Sequence, residues 1–316
     1  MRCHRREKDR KRAETMVTRG SGMKSERWGK RLIFLASLVA AMTSLQAYAA
    51  QISFFRVQHR EYGDGSVYNR LYFEVKDDSG AYVTSKNFIS SVVLKNPSGT
   101  QVSLGTIGFY QQKAITGYFD ATSGSWHYDS ALTDSSYFSV NFSEALATGT
   151  YTLTLATSGG STLTSTFQFD GVIDFPTISS DSFQITHDDS GNIFWNWSIP
   201  DSFSLSLLPT MTVNSDQQVS RQDAGSSQVA CIAYVEVYSG GNWAGYLTVA
   251  LPALMGHVMI PSAVVQQLKT VGDEFHFLVQ LRNRDNSNRS NSIPVTVASL
   301  PPTVNSQSKV VVIPLD

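Results

Sequence analysis

The sequence predicts an all-β protein built from two tandem antiparallel β-sandwiches. Three observations carry that prediction. Apolar residues alternate with Ser, Thr and other polar residues along many short runs, the period expected of strands with one buried face. Gly, Pro, Asn and Asp punctuate those runs about every 8–12 residues, the spacing of sandwich and barrel folds. Helical periodicity is nearly missing: Pro261–Lys269, with Val264, Val265 and Leu268 on one side, is the only stretch that reads as helix.

The first 49 residues are set apart by composition. A basic run ends at Lys30-Arg31, an apolar segment covers Leu32 to Leu45, and Ala47-Tyr48-Ala49 follows as a small-x-small triplet. That layout is the one expected of a secretory signal peptide, with the apolar run too short for a span of about 20 residues. Met23 begins a leader of ordinary proportions, so the 22 residues before it read as an extension of the gene start. No Cys lies near the cleavage triplet for lipid attachment.

Cleavage after Ala49 would change the charge balance. The chain has 25 Lys/Arg and 26 Asp/Glu; residues 1–31 hold 12 and 4 of them, and residues 32–50 hold none. The mature part therefore carries 13 basic and 22 acidic residues, a net charge of −9. An acidic surface disfavours nucleic acid as a partner and leaves no electrostatic pull toward anionic membranes. Of the two cysteines only Cys231 remains after cleavage, so no internal disulfide can form and the apolar setting VACIAYVEV reads as a buried thiol.

Within the mature chain, residues 50–173 read as the first sandwich. Ile52-Phe54, Leu71-Phe73-Val75, Val92-Leu94, Tyr137–Phe142, Tyr151-Leu153-Leu155 and Leu163–Phe169 are its strands, and Asp77–Gly80, Asn96–Gly99 and Gly159-Gly160 its turns. A break at Asp170–Ser180, centred on Pro176, marks a domain boundary. Residues 177–300 read as the second sandwich, with strands at Phe183-Ile185, Ile193-Trp195-Trp197, Ala233-Val235-Val237, Leu247-Val249-Leu251, Phe275–Leu281 and Val295-Val297. Ser202–Gln228 is polar, aperiodic and reads as a long loop, a length that is uncommon without a function. Residues 301–316 form a tail whose Val310–Ile313 run is β-prone, able to pair with its own domain or to donate a strand.

The second half resembles a fibronectin type III domain. Trp197-Ser-Ile-Pro200 is similar to the motif closing the family's second strand, and Tyr234-Val-Glu-Val237 to its third. Leu268, Phe275 and the run to Asn283 are similar to the corner and sixth strand, although Phe275 lacks the hydroxyl of a tyrosine corner. In the first half, Gly149–Leu155 with Gly159-Gly160 and Thr166–Phe169 resembles the closing hairpin of bacterial immunoglobulin-like repeats. The resemblance implies immunoglobulin-like sandwiches that serve as spacers, adhesive modules or binding parts; fold alone does not fix the function.

No nucleophile elbow, phosphate loop or zinc-spaced histidine pair is present in the sequence, so no catalytic residue and no cofactor is assigned. His276, between Phe275 and Phe277, is expected on the solvent side of its strand. Calcium is the one cation the Asp-rich turns could hold, at Asp77-Asp78, at Asp188-Asp189 with Asn192, or at Asp170 with Asp174. Asp and Asn also favour turns for conformational reasons alone. Asn141, Asn196 and Asn288 start glycosylation sequons. The candidate ligand contacts are aromatic: Tyr110, Trp126, Tyr128, Trp243 and Tyr246, in or beside turns where a ring could stack on a sugar or anchor a protein. The functional expectation is an exported, periplasmic or extracellular, non-enzymatic binding or structural module with a protein or glycan partner. The alternative is a carbohydrate-binding or accessory part of a secreted hydrolase or surface assembly.

Overall fold

The computed structural model describes residues 49–201, 229–283, 285–297 and 299–300, and the backbone of 311–312. The leader and the Ser202–Gln228 loop lie outside these residues. In chain order the strands are β1 (Gln51–Tyr62), β2 (Val67–Lys76), β3 (Ile89–Lys95), β4 (Gly108–Asp120), β5 (Ser125–Tyr128), β6 (Thr133–Phe142), β7 (Gly149–Thr157) and β8 (Thr162–Phe169). Then come β9 (Gln184–His187), β10 (Ile193–Asn196), β11 (Val229–Ser239), β12 (Asn242–Pro252) and β13 (His257–Ile260). Helix α1 (Ser262–Lys269) precedes β14 (Glu274–Asn283), β15 (Asn288–Asn291), β16 (Val295–Val297) and β17 (Val311–Val312).

The all-β class predicted from alternation is what forms, but the two tandem sandwiches do not. The main sheet runs β11-β12-β4-β6-β2-β1-β15-β14, and β14 pairs back with β11, so eight strands close into a barrel. Two four-stranded antiparallel sets build it. β4, β6, β2 and β1 come from the first half of the chain, and β12, β11, β14 and β15 from the second. They join along two parallel seams, β12 with β4 from Gly245↔Lys113 to Ala250↔Tyr118, and β1 with β15 from His59↔Asn288 to Tyr62↔Asn291. Immunoglobulin-like and fibronectin-like sandwiches keep such sheets open and separate, so that part of the expectation is corrected.

The outer wall of the barrel is apolar and covered. On one side the sheet β3-β7-β8 lays Leu94, Leu153 and Leu155 over Phe55, Val57, Leu71 and Phe73. On the other, the sheet β13-β10-β9-β17 and α1 lay Trp195, Trp197, Ile260, Val265 and Leu268 over Cys231, Val235, Leu247 and Phe277. Each fully buried side chain of this size contributes about 1.5–3 kcal/mol. The Cys231 thiol is buried as its apolar setting implies, and burial alone pushes its pKa up. Backbone pairing of Val311–Val312 with His187 and Thr186 of β9 accounts for the β-prone tail.

The second faces of the same strands point into the barrel, which explains why the alternation misled. A strand with an apolar outer face and a polar inner face has the same period as a half-exposed sandwich strand. β1 shows it: Arg56, Gln58 and Arg60 alternate with Phe55 and Val57, yet all five are buried. His276 is corrected for the same reason. It lies opposite Phe275 and Phe277, but it is half-buried, its ring bonded to Glu274 Oε1 at 2.6 Å and packed on Tyr238 at 4.5 Å between centroids.

Closure depends on a buried polar segment. From Asn283 to Ser292 every described residue except Arg289 is at most 5 % exposed. The turn passes through Asn286 at φ 57°, a left-handed conformation that Asn tolerates better than most side chains. Asn288 accepts the Ile173 N–H (2.9 Å), donates to the Gly171 carbonyl (2.9 Å), and its own N–H donates to Asn283 Oδ1 (3.0 Å). It thereby ties the connector between the halves to the barrel; its sequon side chain is 1 % exposed and spent on these bonds. Asn291 donates to the Glu61 carbonyl (3.0 Å), and Gln58 donates to that of Asn286 (2.6 Å). At the other seam, a Cβ on Gly245 would stand 2.8 Å from the Lys113 carbonyl, so the strands pair there only because Gly has none. Replacing Asn288 by Ala takes the side-chain partner from two part-buried backbone groups, the Ile173 N–H and the Gly171 carbonyl, and should cost about 2 kcal/mol. Urea unfolding of Asn288→Ala against wild type measures it; a loss below about 0.5 kcal/mol contradicts the role given to this residue.

Candidate functional site

The barrel interior holds a cavity of about 270 Å³. Eight-stranded barrels leave room either for side chains alone or for one small ligand. This lumen is lined by long polar and aromatic side chains, among them Arg60, Arg70, Arg289, Tyr72, Tyr137 and Tyr246. A second hollow, bordered by Tyr62, Tyr68 and Tyr110, shares Arg60, Arg70 and Trp243 with the first. Ala230 and Ile232 form a small apolar floor with Tyr118, Tyr234 and Ala250 against them.

The strands deliver these groups by simple periodicity. Phe54, Arg56, Gln58 and Arg60 follow at steps of two along β1, and Tyr68, Arg70 and Tyr72 along β2. Arg60 donates to Gln58 Oε1 through Nε (3.1 Å) and Nη2 (2.6 Å), Arg70 to the Ser139 hydroxyl, and Arg289 to Gln280 Oε1 (3.3 Å). With its amide oxygen turned to the cations, Asn286 accepts from Arg56 (3.2 Å) and Arg282 (3.3 Å). Arg56 also lies 4.6 Å from the Tyr72 ring centre.

The electrostatics record crowding of positive charge. Burial, with Arg289 and Arg70 adding to it, holds the Arg60 guanidinium well below its usual range. Burial works to raise the Tyr62 phenol, yet Arg60, Arg289 and Arg70 together bring it below its ordinary value. Tyr137 is pushed up to about 12, chiefly by burial. Burial also raises the Glu236 carboxyl; a hydrogen bond from Tyr238 (3.1 Å) and the charges of His276, Arg289 and Arg60 offset only part of this.

Three of the five aromatic candidates meet at one edge of the lumen. Tyr110 stacks on Tyr137 at 5.2 Å, with Trp243 6.2 Å from Tyr110 and 6.1 Å from Tyr246. Trp243 donates its indole N–H to the Gly245 carbonyl (2.9 Å), which fixes the ring. The other two are elsewhere. Trp126 packs on Phe119 and His257, and Tyr128 donates its hydroxyl to the Met259 carbonyl, both against the core beneath β10 and β13. The Asp-rich turns are occupied by their own backbone: Asp77 accepts from Ser79 N (2.8 Å) and Ala81 N (3.2 Å), Asp188 from Ser190 N and Asn192 N, each at 2.9 Å. Among the described residues, no three His, Cys, Asp or Glu gather as a metal site would require.

The arginines were missed by the sequence reading. Their signal was present: the polar face of β1 and β2 carries Arg, Gln, Tyr and Glu, bulky groups that a solvent face has no need to alternate so regularly. Comparison of the chain with protein-family models gives no match, and comparison with curated proteins gives none. The site therefore rests on its own geometry.

The raised Glu236 carboxyl has a pH consequence. Its folded state binds a proton that the unfolded state releases at about 4.5, so stability is lost as pH rises from that value through the higher folded pKa. Glu236→Gln should remove this loss, keep an oxygen for Tyr238, and melt above wild type at neutral pH but not at pH 4. Thermal melts across pH check it; a variant that melts below wild type at neutral pH contradicts it.

Proposed function

We propose that the protein is an exported, non-catalytic binding module that takes a small ligand into the barrel lumen past the rim of Tyr110, Trp243 and Tyr246. The observation that carries this reading is the lumen itself. It is a space of about 270 Å³ between rings and hydrogen-bonding side chains, bordered by a second hollow that shares Arg60, Arg70 and Trp243 with it. Binding sites for drug-sized ligands run to roughly 300–1,000 Å³, so a compact molecule fits best. Rigid aromatic groups at an entrance supply contact area at small entropic cost. The leader supports export, and the net charge of −9 on the mature chain favours a small partner over nucleic acid.

A screen of small metabolites against the intrinsic fluorescence tests the reading, with Trp243 as reporter and Ala250→Trp as a plug of the lumen. Binders should alter the wild-type signal and lose at least tenfold in affinity in the plugged variant, whose fold is checked by circular dichroism. Compounds that bind both forms equally contradict entry into the lumen.

A further inference from the structure

Five arginines line the lumen, and three of them, Arg60, Arg70 and Arg289, direct hydrogen bonds to neutral oxygens, those of Gln58, Ser139 and Gln280, with the Tyr62 phenol also bonded to Arg60. Arg60 is 6 % exposed, and the Nε of Arg289 is buried without a hydrogen bond. Buried cations are ordinarily paired, because an unpaired one loses its hydration without compensation. Here the like charges act on one another instead: Arg289 and Arg70 both disfavour the charged form of Arg60. Carboxylates of the same interior also hold hydrogen bonds from uncharged groups, and Glu236 feels the charges of Arg289 and Arg60 as well. Tyr72 bonds Glu74 at 2.6 Å, Tyr238 bonds Glu236 at 3.1 Å, and the Asp285 side chain accepts the Ser287 N–H at 2.8 Å. Guanidinium groups present planar forks that suit phosphate and carboxylate oxygens. Beside them Thr248 and Tyr246 offer hydroxyls, and the rim offers flat ring faces.

Resting on the lumen reading above, we propose that Arg60, Arg70 and Arg289 bind the oxyanion of a small anionic sugar, a sugar phosphate or a uronate, whose ring lies toward Trp243 and Tyr246. The anion adds countercharge in contact with guanidinium groups whose hydrogen bonds go to uncharged oxygens. The aromatic faces and hydroxyls take the ring.

Calorimetry and thermal melts of the full chain at fixed ionic strength test this with four probes: inorganic phosphate, glucose 6-phosphate, glucuronate and glucose. The proposal expects at least one sugar anion to bind and to raise the melting temperature by several degrees. Glucose should be at least tenfold weaker, and affinity for the anion should fall as salt rises. The response of phosphate against glucuronate tells which oxyanion is preferred. Arg70→Gln and Arg289→Gln should each weaken the anion about tenfold or more. Unliganded, both should melt at or above wild type, since repulsion is relieved. Glucose binding as tightly as the anions, unaffected by either variant, overturns the anion site and leaves the lumen reading in place. No binding of any anion overturns it too, whatever neutral compounds the metabolite screen yields. Unliganded variants that melt well below wild type make the arginines structural and equally overturn it.

Discussion

Everything else in this fold depends on the insertion of a short polar strand, β15, between β1 and β14. Without it the four strands of the first half and those of the second share only the β12–β4 seam, and the sheet stays open. β15 is held by Asn and Ser rather than by apolar packing: Asn288 and Asn291 spend their amides on backbone groups of Gly171, Ile173 and Glu61. Parallel pairing is the weaker kind per residue. Each seam is accordingly reinforced, one by these side-chain bonds and the other by the close approach that Gly245 permits.

Closure produces the interior, and the interior sets the chemistry. An open sheet would leave Arg56, Gln58 and Arg60 in water, where their charge is screened and unremarked. Inside the barrel they sit with Arg70, Arg282 and Arg289 in one enclosed space. The low local dielectric strengthens every interaction there, favourable or not. Carboxylates such as Glu236 and a set of tyrosines temper that field at particular points, and burial still raises the Glu236 pKa. The aromatic rim at Tyr110, Trp243 and Tyr246 is the part of this interior that faces outward.

Strand content, the turns at Asp77–Gly80 and Asn96–Gly99, the helix at Ser262–Lys269 and the buried Cys231 could all be read in the chain, because each follows from local pattern or composition. The barrel could not. β7 and β1 alternate with the same period, yet Thr152 and Thr154 of β7 face outward while Arg56 and Gln58 of β1 face a lumen. Period two states that a strand has two different faces; it does not state what covers the second. Non-local pairing of Gly245 with Lys113, or His59 with Asn288, leaves no trace in a neighbouring window. The candidate site was partly legible. Tyr110, Trp243 and Tyr246 stand out as aromatics near turns, whereas Trp126 and Tyr128 look the same in sequence and are core residues. The arginines were hidden by the assumption that a polar face is a wet one.

The central claim is that residues from both halves pair directly to close one barrel. Backbone nuclear Overhauser contacts across the two seams measure this most directly. The account predicts cross-strand contacts between residues 113–118 and 245–250, and between 59–62 and 288–291. Contacts confined within residues 50–173 and within residues 177–300, with neither seam represented, would contradict it.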